Sequence, residues 1–234
     1  MEKQIPSKSN SVIAEALIAY AFRIGAIEFL PEGRLLRSGR LSPYFFNSGL
    51  FCTGDSIAKL ARCYGAKIAD EKINPEVIFG PAYKGIPLAA TITAALGGDI
   101  GYAYNRKEAK AHGEGGCTVG TQLKGKRVLI VDDVITTGGS FGEIVEIIHE
   151  HGGIPVGCMI AFDRQERIGD NALPTLSAAQ EFEENYNIPV RAVATLADLI
   201  SFMRKITTGR YEDSITRGRM LGQILAYKEM YGAL

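Results

Sequence analysis

From Val128 to Ser140 the chain reads VLIVDDVITTGGS, an apolar run suited to a buried strand that passes straight into two acids and then into hydroxyls and glycines. Thr136, Thr137, Gly138, Gly139 and Ser140 stand just before a helix predicted from Phe141. Glycines let backbone N–H groups turn inward, hydroxyls add donors, and a helix N-terminus favours negative charge, so this stretch is suited to cradle a phosphate. Asp132 and Asp133 would repel phosphate; they suit hydroxyls, or a cation beside the phosphate. Together the two halves point to a sugar phosphate, with ribose hydroxyls on the acids and phosphate on the loop. The spacing is not that of a P-loop, G-x-x-x-x-G-K-[ST], and the glycines do not form G-x-G-x-x-G. An isolated pair of aspartates would read as a solvated strand end; the apolar run before this pair and T-T-G-G-S after it reverse that reading.

Three further apolar runs end the same way. VIFG (77–80) meets PAYKG, IGYAY (100–104) meets NRKEAKAHGEGG, and PVGCMIAF (155–162) meets DRQER. Short apolar runs that alternate with helical stretches indicate βαβ units and a parallel sheet. In such a sheet all carboxyl ends lie on one edge, where open α/β sheets bind their ligands, so the four clusters are expected to converge. The helices that separate the runs are placed at Ile86–Leu96 and Phe141–His149, with another near Ser177–Asn187 before an apolar run at Val190–Val193.

The flanks differ from this core. SVIAEALIAYAFRIGAI spaces Val12, Ile13, Ala16, Leu17 and Tyr20 as an amphipathic helix. LLRSGRLSPYFFNSGLF reads as short strands with tight turns, and SIAKLARCYGAKIADEKI is helical again. The tail, 197–234, reads as helical, and no repeat or low-complexity linker cuts the chain. The expected layout is one domain over 1–234: a hood of helix and short strands to about residue 60, an α/β core over about 61–195, and a helical tail over about 196–234.

Bulk composition narrows the function. The chain has 234 residues, 46% of them apolar, which suits one large domain with a sizeable core. Lysine and arginine total 26 and are balanced by 26 aspartates and glutamates, which argues against nucleic acid or a membrane surface as partner and confines any positive cluster to one place. Cys52, Cys63, Cys117 and Cys158 are scattered without a C-x-x-C pair, which argues against a zinc site or a disulfide framework and fits a reducing compartment. The first ten residues lack the apolar centre of a signal peptide, and no run is long enough to span a membrane, so a soluble cytoplasmic protein is expected.

VLIVDDVITTGGS resembles the phosphoribosyl-pyrophosphate signature of type I phosphoribosyltransferases. With SGRLSPYFFNSGLF, GPAYKGIPLA, YNRKEAKAHGEGG and DRQER beside it, the chain resembles the orotate phosphoribosyltransferases from about the first helix to about Gly169. The resemblance implies a parallel-sheet α/β core flanked by helices under a small N-terminal hood. It implies transfer of the 5-phosphoribosyl group from phosphoribosyl pyrophosphate (PRPP) to orotate, giving orotidine 5'-monophosphate and pyrophosphate in UMP biosynthesis. Magnesium (Mg2+) would be the cofactor, arriving on the donor's oxygens and not in a site made only of protein ligands.

The same resemblance assigns roles. PRPP would be held by Arg37, Tyr83, Lys84, Arg106, Lys107, Lys110 and His112, with Asp132, Asp133, Val134, Ile135, Thr136, Thr137, Gly138, Gly139 and Ser140. Lys107, Lys110, Asp132 and Asp133 are the expected catalytic residues, and Phe45, Phe46, Thr136 and Arg164 would meet orotate. Arg106, Lys107 and Lys110, followed by His112, Gly113, Gly115 and Gly116, make a candidate lid over pyrophosphate. In this family the loop reaches into a partner's site, which implies a homodimer with shared sites, Lys107 being the member most associated with its own subunit. His112 is a proton donor or, preferably, a phosphate ligand. Arg37 replaces the family's usual lysine before S-G-R, with a different reach and fork geometry, and Ala111 is neutral where a charge is common. Asp163 is read as structural, and His149 and His151 as partners of a helix dipole. A transferase for a purine base is disfavoured by Phe45, Phe46 and Arg164, and a non-catalytic sensor by the balanced charge and the lid.

Overall fold

The computed structural model describes residues 8–107, 117–135, 139–169, 176–207 and 214–233. Val128–Val131 are fully buried, and the strand that holds them, β6 (Arg127–Asp132), lies inside a six-stranded sheet. The others are β3 (Val77–Gly80), β4 (Gly101–Asn105), β5 (Thr118–Gly120), β7 (Ile154–Asp163) and β8 (Val190–Thr195), in the order β5-β4-β3-β6-β7-β8. All neighbours run parallel except β5, which pairs antiparallel with β4 at the edge. The sequence reading has no counterpart for β5, because three residues without an apolar run leave no periodicity to detect.

The strands are apolar throughout because both faces of the sheet are covered. Ile78, Leu129, Val131, Met159 and Ala161 join one core, and Val77, Phe79, Val128, Ile130, Cys158 and Ile160 the other, as the period of two demands. The first core is roofed by α1 (Lys8–Arg23), α2 (Gly54–Asp70), α3 (Gly85–Leu96), α6 (Leu196–Thr207) and α7 (Ser214–Tyr231). The second lies under α4 (Gly139–Glu150) and α5 (Ala178–Tyr186). Each fully buried aliphatic side chain contributes about 1.5–3 kcal/mol, so the strands that carry polar ends are firmly anchored.

A separate antiparallel pair, β1 (Ile27–Leu35) with β2 (Leu41–Phe46), forms the hood. Thr53 starts α2 with a reciprocal capping box to Ser56, and from there the chain leaves the hood for the core. The tail forms two helices, and α7 packs on both α6 and β2, so the end of the chain returns to the hood.

Candidate active site

The chain order of the parallel strands reverses between β3 and β6: β3 connects outward to β4, β6 the other way to β7 and β8. Ligands of open α/β sheets bind outside the carboxyl ends at such a switch point. Here the β3 and β6 ends carry Tyr83–Lys84 and Asp132–Asp133. The β3-to-α3 turn is tight: a Cβ on Gly80 would lie 2.0 Å from the Gly85 carbonyl oxygen, and one on Gly85 would lie 2.7 Å from Pro81 Cδ. Only hydrogen fits at both ends of G-P-A-Y-K-G, which places Lys84 directly at the start of α3.

Lys84 Nζ reaches Asp133 at 2.7 Å. Ser48, in the single 3-10 turn after β2, donates to the same carboxylate oxygen. Asp133 is 6% exposed, its Oδ1 accepts from the Val134 N–H at 3.0 Å, and its carbonyl accepts from the N–H groups of Ala161 and Phe162. Asp132 accepts from the Asp133 N–H at 2.9 Å, and its carbonyl is held by the Tyr64 hydroxyl at 2.6 Å. Burial, and then the charge of Asp133, pushes the Asp132 carboxyl up to about 7, against the pull of the Asp133 N–H and of Lys84. Two carboxylates held this close favour any arriving proton donor or cation.

The base of the candidate lid lies beside them. The Arg106 N–H donates to the Cys117 carbonyl at 2.7 Å, and Asn105 pairs with Thr118, so the chain leaves and re-enters the sheet at one place. Asn105 Oδ1 accepts from the Ala82 N–H at 2.8 Å, tying the β4 end to the β3 turn. Lys107 Nζ sits 4.8 Å from the centre of the Tyr83 ring, within cation–π range. Tyr83, Lys84, Lys107 and Asp133 are thus brought together. Lys110, Ala111, His112 and the lid glycines Gly113, Gly115 and Gly116 lie outside the described residues, as do Thr136, Thr137 and Gly138. Gly139 and Ser140 are the first residues of α4, whereas the sequence reading places them just before a helix beginning near Phe141. Val134 and Ile135 are half-buried, packed against the first and second cores respectively. Arg37 is exposed in the turn between β1 and β2.

The end of β7 meets the hood. Arg164 donates from Nε to Glu166 at 2.8 Å and from Nη2 to Ser42 Oγ at 2.9 Å, and lies 4.3 Å over the Tyr44 ring. These contacts use Nε and Nη2 of Arg164 and leave Nη1 out. Phe46 is buried and stacks on Phe162 at 5.3 Å, so its ring belongs to the core, while half-buried Phe45 lies under the Arg34 guanidinium at 4.2 Å. Asp163 caps the turn after β7 by accepting from the Gln165 N–H. The His151 ring is 2.8 Å from the Ile147 carbonyl at the end of α4. Ser48, Tyr64, Asn105, Ser42 and Glu166 are absent from the sequence-derived site. Each acts through a partner distant in sequence except Glu166, which stands two residues after Arg164 in DRQER, the one local signal available.

Among the described residues no group of three or more histidine, cysteine, aspartate or glutamate side chains comes together as a metal cage. The pair Asp132 and Asp133 does suit magnesium, a cation bound by one or two carboxylates together with substrate phosphates and water.

Fold and switch-point site define one class, and residues 53–186 match the family model of the phosphoribosyl transferase domain. An orotate phosphoribosyltransferase of Bordetella avium (strain 197N) is 48% identical over 204 residues, 84% of this chain and 89% of that protein. One from Pseudoalteromonas translucida (strain TAC 125) is 46% identical over 222 residues, 90% of this chain and 98% of that protein. The crystal structure of an orotate phosphoribosyltransferase from Francisella tularensis superposes with a TM-score of 0.77 at 34% identity, covering 92% of this chain and 98% of that one. The chain belongs to the orotate phosphoribosyltransferase family. Among its described residues no helix is long and apolar enough to cross a membrane.

Proposed function

We infer that this chain transfers the 5-phosphoribosyl group from PRPP to orotate, releasing pyrophosphate and giving orotidine 5'-monophosphate in de novo pyrimidine biosynthesis. The observation that supports the chemistry best is the meeting of Lys84, Lys107 and the Asp132–Asp133 pair at the switch point. As the bond from ribose to pyrophosphate breaks, negative charge gathers on the leaving group and positive charge on the ribose ring. Lys84, Lys107, Arg106 and, from the lid, Lys110 and His112 stabilise the first; Arg37 is a further phosphate contact. Asp132 and Asp133 hold the ribose hydroxyls and stabilise the second. Residues 134–140 take the 5'-phosphate at the α4 N-terminus. Asp132 and Asp133 would hold magnesium brought in by the donor, which would supply positive charge against the pyrophosphate oxygens.

Lys84 begins on Asp133 and must let go for both to meet the donor. Its side chain is 65% exposed, so the exchange needs little more than rotamer motion. On the base side, Nη1 of Arg164, which none of these contacts uses, is the donor for the orotate carboxylate, and the Phe45–Phe46 strand and Thr136 frame the flat ring.

The working form is a homodimer with shared sites, in the cytoplasm, each chain acting as one catalytic domain. Helix α3 carries no charged residue, and its outer positions Pro87, Ala94 and Ala95 are exposed beside β4, from which the lid departs. The direct test replaces Asp132 and Asp133 by asparagine. PRPP binding by calorimetry should be lost while circular dichroism stays native; native PRPP affinity would remove the ribose-binding role.

A further inference from the structure

Glu166 is the hub of a buried charged cluster that joins three parts of the fold. It receives Arg164 from the end of β7 at 2.7 Å, Arg40 from the start of the hood strand at 3.6 Å, and the Tyr227 hydroxyl from α7 at 2.9 Å. The side chains of Arg40, Glu166 and Arg164 are only 5%, 13% and 18% exposed. Arg40 also donates to the Gly169 carbonyl at 2.6 Å and lies 4.9 Å over the Tyr231 ring. Tyr227 packs edge-on against Tyr44, the ring beneath Arg164. Backbone bonds complete the seam: the Arg167 N–H donates to the Tyr231 carbonyl and the Ala233 N–H to the Gln165 carbonyl.

This geometry has a chemical consequence. An arginine with four flexible bonds recognises a planar anion well only when its fork is fixed in advance. Glu166 takes one edge of the Arg164 fork, Ser42 takes part of the other, and Tyr44 supports its plane, so what remains for a ligand is Nη1. Glu166 in turn is fixed by Tyr227. Burial, and then Glu166, push the Tyr227 hydroxyl up to about 12, so it remains a proton donor at neutral pH.

We propose that Glu166 and Tyr227 are positioning residues for base recognition, and that the C-terminal helix α7 is a structural part of the base site, clamping Arg164 for the substrate's carboxylate. The proposal rests on Arg164 as the orotate ligand. Michaelis constants for orotate and for PRPP are compared in the wild type, Tyr227→Phe, Glu166→Gln, Arg164→Ala and the double variant Tyr227→Phe/Arg164→Ala. Tyr227→Phe, which removes one hydroxyl from a retained ring, is expected to raise the orotate constant roughly five- to tenfold, the scale of one ordinary hydrogen bond, and to leave that for PRPP unchanged. Glu166→Gln is expected to raise it further, and its melting temperature separates misfolding from misalignment. In the Arg164→Ala background, Tyr227→Phe should add nothing, because the residue it aligns is gone. If Arg164→Ala weakens orotate but Tyr227→Phe does not, or if the Tyr227→Phe effect persists without Arg164, the clamp is overturned and the base assignment stands. If Arg164→Ala leaves orotate unaffected, the base assignment and the clamp fall together.

Discussion

Asp132→Asn should make the ligand-free protein more stable and less active at once. Burial and the neighbouring Asp133 raise the Asp132 carboxyl from 3.8 to about 7. A carboxyl whose folded pKa lies above its unfolded value binds more protons in the native state across that window, so stability falls as pH rises through it. Roughly three pK units at about 1.36 kcal/mol each set a ceiling of about 4 kcal/mol for the cost of ionising Asp132 in the fold. Between about pH 5 and pH 8 the wild type should lose about 2–3 kcal/mol from this source. Asparagine keeps an acceptor for the Asp133 N–H, bonded at 2.9 Å in the wild type, and carries no charge. Urea unfolding of both proteins at several pH values measures the difference. The variant's curve should be flatter, with its advantage growing toward alkaline pH, while turnover drops by at least a hundredfold. Parallel curves would mean that the two acids are not in electrostatic conflict, and the account of why they seek ribose hydroxyls and a cation would fail.

Gly85→Ala puts a Cβ 2.7 Å from Pro81 Cδ and 2.8 Å from the Gly80 carbonyl carbon, so the turn must shift. Thermal melting should show a loss of about 1–3 kcal/mol and calorimetry a weakened PRPP affinity. Lys84→Met deprives Asp133 of its ion pair, but at 65% exposure the stability cost should be about 1 kcal/mol or less, whereas turnover should fall far more. Limited proteolysis without ligand should cleave within 108–116, and PRPP with magnesium should protect those bonds; equal cleavage would argue against a lid. Coexpressing Lys110→Ala with the Asp132→Asn/Asp133→Asn variant should restore roughly a quarter of wild-type activity, since about half the dimers are mixed and each mixed dimer has one intact site. Verified mixed dimers as inactive as their parents would place the lid over its own chain's site.

The candidate phosphate loop and the acids stand out in the sequence because their signal is local: an apolar strand, then charge, then glycine before a helix. The convergence of four strand ends follows from the parallel sheet alone, and the structure places β3, β4, β6 and β7 side by side with their carboxyl ends together. What stays hidden depends on partners distant in sequence. Ser48 meets Asp133 across 85 residues, Tyr64 meets Asp132 across 68, and Tyr227 meets Glu166 across 61. Nothing in the sequence of α7 marks Tyr227 out from any other buried tyrosine. Phe46 shows the opposite limit, since a motif flags it for the base while packing on Phe162 gives its ring a place in the core.

The most direct measurement follows orotate and pyrophosphate together in the purified protein supplied with PRPP and magnesium, with adenine or hypoxanthine in place of orotate as comparison. The account predicts that orotate disappears and pyrophosphate appears in equal amounts, only when donor and magnesium are both present, and that the purines give neither signal. Pyrophosphate release with a purine at the rate found with orotate, or no orotate consumption under any of these conditions, would contradict it.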